Sequence, residues 1–385
     1  MSYGYLTGLV LQGALVALTL WPPRRPYWLG GLAYRVAAAY NEAPFLFFAV
    51  IAISAALTFV DYPLTTPAAW VMLALTMLLV AGLAVIVARG ARARPVVQQS
   101  LDEAFGPRWR DELEPSLANG LRTRAPLGRV LLTFAFRPRS VERRRNIPYG
   151  PAGRAHLLDL YRHRSHPANA PVLLYFHGGG YSGGFKSFES RALLFRLASR
   201  GWVTVSANYR LRPHADFYDH LSDLKRVIAW VRRHADEIGA DPATVVVAGS
   251  SAGGHMATMA ALTPNAPRYQ PGFEDADTSV TAAVSIYGWH GGYYELGDAG
   301  SEAGPLGHTA EGAPPVFVAH GENDTIAYVE TARRTVAHLR AGSSSPVVYA
   351  ELAHGQHAFD LFHSLRYSAV VDGIEAFTAV VRSRT

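Results

Sequence analysis

Residues 244–255, TVVVAGSSAGGH, constrain the fold of this chain more than any other stretch. The β-branched run Thr244-Val245-Val246-Val247-Ala248 predicts a buried strand, and the residues from Ala252 to Ala257 open a helix. Between them Gly249-Ser250-Ser251-Ala252-Gly253 forms a G-x-S-x-G, a pattern that acquires meaning only in this strand-turn-helix setting. Such a turn strains the backbone at Ser251 and lifts its hydroxyl clear of the sheet. The flanking residues must be small, because a side chain there would strike the neighbouring strand and helix.

A serine hydroxyl is a poor nucleophile until a base takes its proton, so a histidine and an orienting acid are needed. In the chain order Ser, Asp, His they belong on loops after later strands. His320-Gly321-Glu322-Asn323-Asp324 follows an apolar run at 315–319 and places Asp324 where the orienting carboxylate belongs. His354-Gly355-Gln356-His357-Ala358-Phe359-Asp360 follows the run at 347–352 and offers His357 as the base. Glu322 and His354 are close competitors, each read by default as a loop residue with a structural or solvent role. His177-Gly178-Gly179-Gly180-Tyr181 follows the run at 171–176. The amides of Gly178 and Gly179, with that of Ala252, are the expected oxyanion hole, although a glycine run can also be a plain flexible turn.

From residue 146 onward apolar runs alternate with helical patterns, which predicts an α/β fold: a mostly parallel sheet with helices on both faces. Strands are expected at 146–150, 156–161, 171–176, 202–207, 244–248, 280–287, 315–319 and 347–352. Helices are expected at 190–199, 217–238, 252–262, 328–339 and 359–382. Residues 289–313, rich in glycine and without periodicity, are a candidate rim for a substrate pocket.

The first ninety residues have a different character. The stretches 5–21, 43–60 and 67–88 contain no charged residue, and each approaches the roughly 20 residues that cross a hydrocarbon core. They lack the polar stripe of a soluble helix, so residues 1–94 are expected to be an all-α transmembrane region of about three helices. A cleaved signal peptide is the rival for the first stretch, but residues 1–6 lack the basic segment it needs. Arg24, Arg25 and Arg35 lie between the first two stretches, and Arg89, Arg92 and Arg94 follow the third. The positive-inside rule therefore predicts an integral membrane protein with its large domain on the cytoplasmic side. Residues 1–94 carry six arginines against two acids, and 95–150 ten against six, within a whole-chain charge of +6. The excess sits beside the apolar stretches, which fits an anionic membrane surface. No basic stripe in the large domain points to nucleic acid.

Residues 95–145 read as an amphipathic, basic connector. Its apolar patch at 130–136 is expected to pack on the large domain, the alternative being an element lying on the membrane. There is no cysteine, which excludes disulfides, thiolate metal sites and a cysteine nucleophile. The expected catalytic domain is 146–385, with no metal and no cofactor; the oligomeric state is not legible.

The motifs HGGGY (177–181), NYRL (208–211), DPATVVVAGSSAGG (241–254), GEND (321–324) and HAF (357–359) occur together in this order. On these residues the chain from Ile147 to Arg382 resembles an α/β-hydrolase of the hormone-sensitive-lipase-like carboxylesterase family. The resemblance implies an α/β-hydrolase fold and a metal-free serine hydrolase acting on a small-molecule or lipid ester through an acyl-enzyme. Two departures are Ser250, where family members commonly carry an acid, and Asn208, often acidic before YRL. Membrane-anchored ester hydrolysis is thus the first expectation. A non-hydrolytic membrane scaffold or ligand receptor is the second, and a deacetylase, amidase or acyltransferase is a rival within the enzymes.

Overall fold

A computed structural model describes residues 3–384. Among the described residues three helices are long and apolar enough to cross a membrane: α1 (Tyr3–Leu20), α3 (Pro44–Asp61) and α4 (Pro67–Ala91), the last running on through Arg92 into α5 (Ala93–Phe105). Between α1 and α3 lies α2 (Tyr27–Tyr40). These helices bury one face on each other around Leu9, Val16, Leu79 and Leu83 and leave Val10, Leu57 and Leu78 exposed. Gly82 permits the close approach of α1, since a Cβ there would stand 2.8 Å from Val16.

After two short turns, α6 (Pro115–Ala118) and α7 (Leu127–Leu131), the large domain forms one eight-stranded sheet. Its strands are β1 (Val141–Pro148), β2 (Leu157–His163), β3 (Ala170–Phe176), β4 (Val203–Ala207), β5 (Ala240–Ser250), β6 (Ala282–Ile286), β7 (Val316–Gly321) and β8 (Val347–Leu352). The spatial order is β1-β2-β4-β3-β5-β6-β7-β8, with β2 antiparallel to both neighbours and the other pairs parallel. This is the mostly parallel α/β sheet the sequence predicts. The central strands are continuous apolar runs because both faces are covered. Val172, Leu174, Val245 and Val247 face one core, with α9 (Phe217–Arg233), α10 (Ala235–Ile238) and α11 (Ala252–Leu262). Leu173, Tyr175, Val246 and Ala248 face the other, with α8 (Arg191–Ser199) and α13 (Leu365–Arg384), while α12 (Val329–Gly342) flanks β7 and β8.

Three differences from the sequence reading have physical causes. The sheet begins at Val141, five residues early, because β1 is an edge strand whose Glu142-Arg143-Arg144-Arg145 tolerates charge. Inside the expected connector, α5 enters the second core through Val97, Leu101 and Phe105, and Gly373 of α13 leaves room for Val97, whose methyl a Cβ would meet at 2.3 Å. The apolar patch packs on the large domain only in part: Val130 is buried, Ala135 packs against the second core and the Phe134 ring meets Phe362 at 5.8 Å, while Leu131, Leu132 and Phe136 stay exposed because they lie on the outer side of the turn.

One buried ion pair ties the apolar region to the large domain. Glu42, in the turn after α2, accepts from the Arg366 guanidinium of α13 and from the Ser364 hydroxyl at 2.5 Å. Both charged side chains are 1% exposed. Glu42→Ala strands the guanidinium in a dry site, and loss of one partner of such a pair costs about 3–5 kcal/mol. We expect a lower thermal midpoint for Glu42→Ala in detergent, partly restored in the double variant with Arg366→Met. A single variant as stable as the wild type would refute this.

Candidate active site

The turn between β5 and α11 forces Ser251 to φ +53°, a conformation a non-glycine residue holds only when its surroundings dictate it. They do so here by close packing. A Cβ on Gly249 would stand 2.2 Å from the Gly253 carbonyl carbon, and one on Gly253 would stand 2.0 Å from the Phe176 carbonyl oxygen. The Ser251 hydroxyl meets His357 Nε2 at 3.0 Å, and His357 Nδ1 meets Asp324 Oδ2 at 2.7 Å. Each of the three comes from a different turn at the carboxyl edge of the sheet, after β5, β7 and β8. The second Asp324 oxygen accepts the amides of Ile326 and Ala327, both at 2.8 Å.

The competitors stand elsewhere. Glu322 accepts the His354 amide at 3.0 Å, and neither side chain is hydrogen-bonded to Ser251 or His357.

Gly179 and Ala252 line the cavity at Ser251, but Gly178 departs from the expectation. Its N–H already donates to Glu189 Oε2 at 2.6 Å. Positive φ at Gly179 (+104°) and Gly180 (+57°) turns the loop so that Gly180, not Gly178, reaches the cavity wall. Three consecutive glycines offer three amides, and only the backbone path selects among them.

Several side chains that sequence reasoning missed hold the arrangement. Gln356 Oε1 accepts the amides of Thr325 and His357, at 2.8 and 2.9 Å, and so ties the Asp324 loop to the His357 loop. Glu189 fixes the glycine loop; burial, with the Asp360 carboxylate nearby, pushes its carboxyl up to about 8. Ser250, the first departure from the family pattern, donates to Asp360 Oδ2 at 2.6 Å, so a carboxylate from the loop after β8 stands beside this position. The missing acid at 250 was the one available hint. His357 itself lies between Tyr287, 4.6 Å away by ring centroid, and Tyr34 of α2, at 5.7 Å. The cavity measures about 760 Å³, with Tyr181, Trp289, Tyr293, Tyr294 and Ile326 among its lining.

Behind the glycine loop three neutral histidines are packed. His177 stacks on Tyr209, His220 stacks on Tyr181, and His255 Nδ1 bonds the Tyr181 hydroxyl. Burial pulls each from 6.5 down to about 4. Between these values the unfolded chain binds protons that the folded chain refuses, so their contribution is whole above pH 6.5 and is lost as pH falls toward 4. We expect the thermal midpoint to fall between pH 6.5 and 4.5; a flat profile would contradict it.

Comparison with known proteins agrees with this architecture. Residues 158–291 match the family described as BD-FAE. The Mycobacterium tuberculosis protein named "Probable carboxylic ester hydrolase LipM" is 38% identical over 326 residues, covering 76% of this chain and 74% of its own. Esterase LipQ of the same organism is 34% identical, over 76% of each chain. Among solved structures, esterase 2 of Thermogutta terrifontis superposes with a TM-score of 0.53 at 23% identity, over 60% of this chain and 91% of that one, a likeness of fold. With relatives this similar across three quarters of their length, and with the sheet and motifs described, the chain belongs to the hormone-sensitive-lipase-like carboxylesterase family of α/β-hydrolases.

Proposed function

We propose that this carboxylic ester hydrolase is a membrane-anchored serine esterase that cleaves lipophilic esters through an acyl-enzyme. The observation that carries the reading is the unbroken relay from the Ser251 hydroxyl through His357 to Asp324, at 3.0 and 2.7 Å, on the wall of an aromatic cavity. His357 Nε2 takes the hydroxyl proton as Ser251 Oγ attacks the ester carbonyl. Gly179, Gly180 and Ala252 line the cavity beside Ser251, and their amides are the donors we assign to the developing oxyanion. His357 then gives its proton to the departing alcohol, takes one from water, and returns it to Ser251 as the acid leaves. Asp324 keeps the imidazole in the tautomer that can accept and stabilises the imidazolium.

Anchoring is supported by the three apolar helices. The Arg24 segment touches the large domain through Glu330, so the loop after α1 and the domain after α4 share one side, as three spans require. The arginines on that side make it the cytoplasmic one. A fluorophosphonate probe tests the mechanism: we expect it to label Ser251 in the purified chain and to stop turnover of p-nitrophenyl butyrate in proportion. Labelling at another residue, or turnover that survives complete labelling, would overturn the reading.

A further inference from the structure

One wall of the cavity does not come from the sheet. Tyr27 and Tyr34 of α2 line it beside Ser251 and His357, and the Tyr34 ring stands edge-on to the imidazole at 81°. Three attachments hold α2 there. Before its first turn Arg24 pairs with Glu330 at 2.8 Å and donates to the Glu322 carbonyl at 3.3 Å. In its first turn the Gly30 carbonyl accepts from the hydroxyl of Thr325, next to Asp324, at 2.8 Å. Beyond its last turn Glu42 engages Arg366 and Ser364. A segment that merely joined two spans would have no reason to touch the imidazole.

The mouth of the cavity is tied by short chain segments to the ends of the apolar helices. Tyr27, Trp289 and Tyr294 line the cavity yet are exposed, which marks the opening. Tyr27 follows the last residue of α1 by seven positions, at most about 25 Å of extended chain. Trp21 and Trp28 on either side of it are 71% and 70% exposed, and tryptophan in such a place settles at the headgroup level. Near the other end of α2, Ser364 holds Glu42, two residues before α3, and the adjacent His363 amide donates to the Thr133 carbonyl at 2.6 Å. Thr133 thus brings the exposed Leu131, Leu132, Phe134 and Phe136, with Arg129, Arg137 and Arg139 among them, to the base of the spans. Apolar side chains interleaved with arginine are the composition of a surface that lies in the headgroup region.

We propose that α2 is a port through which an ester dissolved in the bilayer passes sideways into the cavity, with Tyr34 guiding its chain past His357 to Ser251. The proposal rests on the membrane-anchored hydrolase reading. It makes the inter-span helix part of the acyl-binding wall and assigns the substrate class: long-chain carboxylic esters that reside in lipid, presented without passage through water.

The test uses the full chain reconstituted in phosphatidylcholine–phosphatidylglycerol vesicles. 4-Methylumbelliferyl palmitate is supplied either in the same vesicles or in separate ones, and p-nitrophenyl butyrate is supplied in the buffer. We expect the palmitate in the enzyme's own vesicles to be cleaved at least about tenfold faster than that in separate vesicles, because a long chain leaves a bilayer slowly. Tyr34→Ala should lower the palmitate-to-butyrate ratio of kcat/KM by about tenfold or more, mainly through KM for palmitate, and Tyr34→Phe should restore it. Equal rates from the two vesicle populations, or a Tyr34→Ala effect identical for both esters, would overturn the port while leaving the hydrolase intact. No turnover of butyrate would overturn the hydrolase and the port together.

Discussion

Ser251→Ala is expected to lower turnover of p-nitrophenyl butyrate by about a million-fold, the scale on which loss of a nucleophile or its base is felt in a serine hydrolase. The substitution removes one atom, Oγ, whose recorded partner is His357 Nε2. Alanine retains the Cβ that the turn already accommodates, and it meets the same strain at φ +53° that serine meets. Folding should therefore be unchanged, which circular dichroism and an unshifted thermal midpoint can establish in the same sample. Ser250→Ala is the matched control. Its hydroxyl joins Tyr175 to Asp360 under the turn and does not reach His357, so its effect should be a few-fold and structural. A Ser251→Ala enzyme retaining more than about a hundredth of wild-type turnover would mean that another group forms the acyl-enzyme.

The parts of the molecule that were legible in the sequence share a physical basis. Strands β3 to β8 announce themselves because a sheet covered on both faces demands largely apolar runs, and Ser251, Asp324 and His357 come together at one sheet edge because each lies within a short turn of the end of such a run. What stayed hidden depends on partners distant in the chain. α2, YWLGGLAYRVAAAY, holds Gly30-Gly31 near its start and one charge, Arg35, so its letters mark it only as the segment between two apolar stretches, and the partners Thr325, Glu330 and Arg366 that seat it lie nearly 300 residues or more away. The final helix begins at Leu365 instead of 359 because Asp360 is drawn into the network under Ser251 and Ser364 accepts the Tyr367 amide at the helix start. The expected single helix at 217–238 breaks at His234, between α9 and α10. Which glycine amide faces the cavity is a matter of φ, and nothing in the letters HGGG encodes it.

Asp324→Asn tests the relay at its far end, with an expected loss of about 10⁴-fold in kcat and little change in stability. The orientation forced on the new amide decides the outcome. One Asp324 oxygen accepts two backbone N–H groups, from Ile326 and Ala327, and only an oxygen can occupy that place. The NH₂ of asparagine is therefore forced toward His357, where the wild-type oxygen accepts from Nδ1 at 2.7 Å. A donor facing Nδ1 drives the imidazole proton to Nε2, and Nε2 then donates to the Ser251 hydroxyl when it should accept from it. The variant keeps every contact in number and loses the base. Glu322→Gln provides the comparison, since Glu322 accepts the His354 amide on the loop rim and lies outside the relay. We expect Glu322→Gln to stay within a few-fold of wild type. Should Glu322→Gln prove the crippled enzyme and Asp324→Asn the active one, the orienting acid is Glu322, and the loop after β7 must rearrange to bring it to the imidazole.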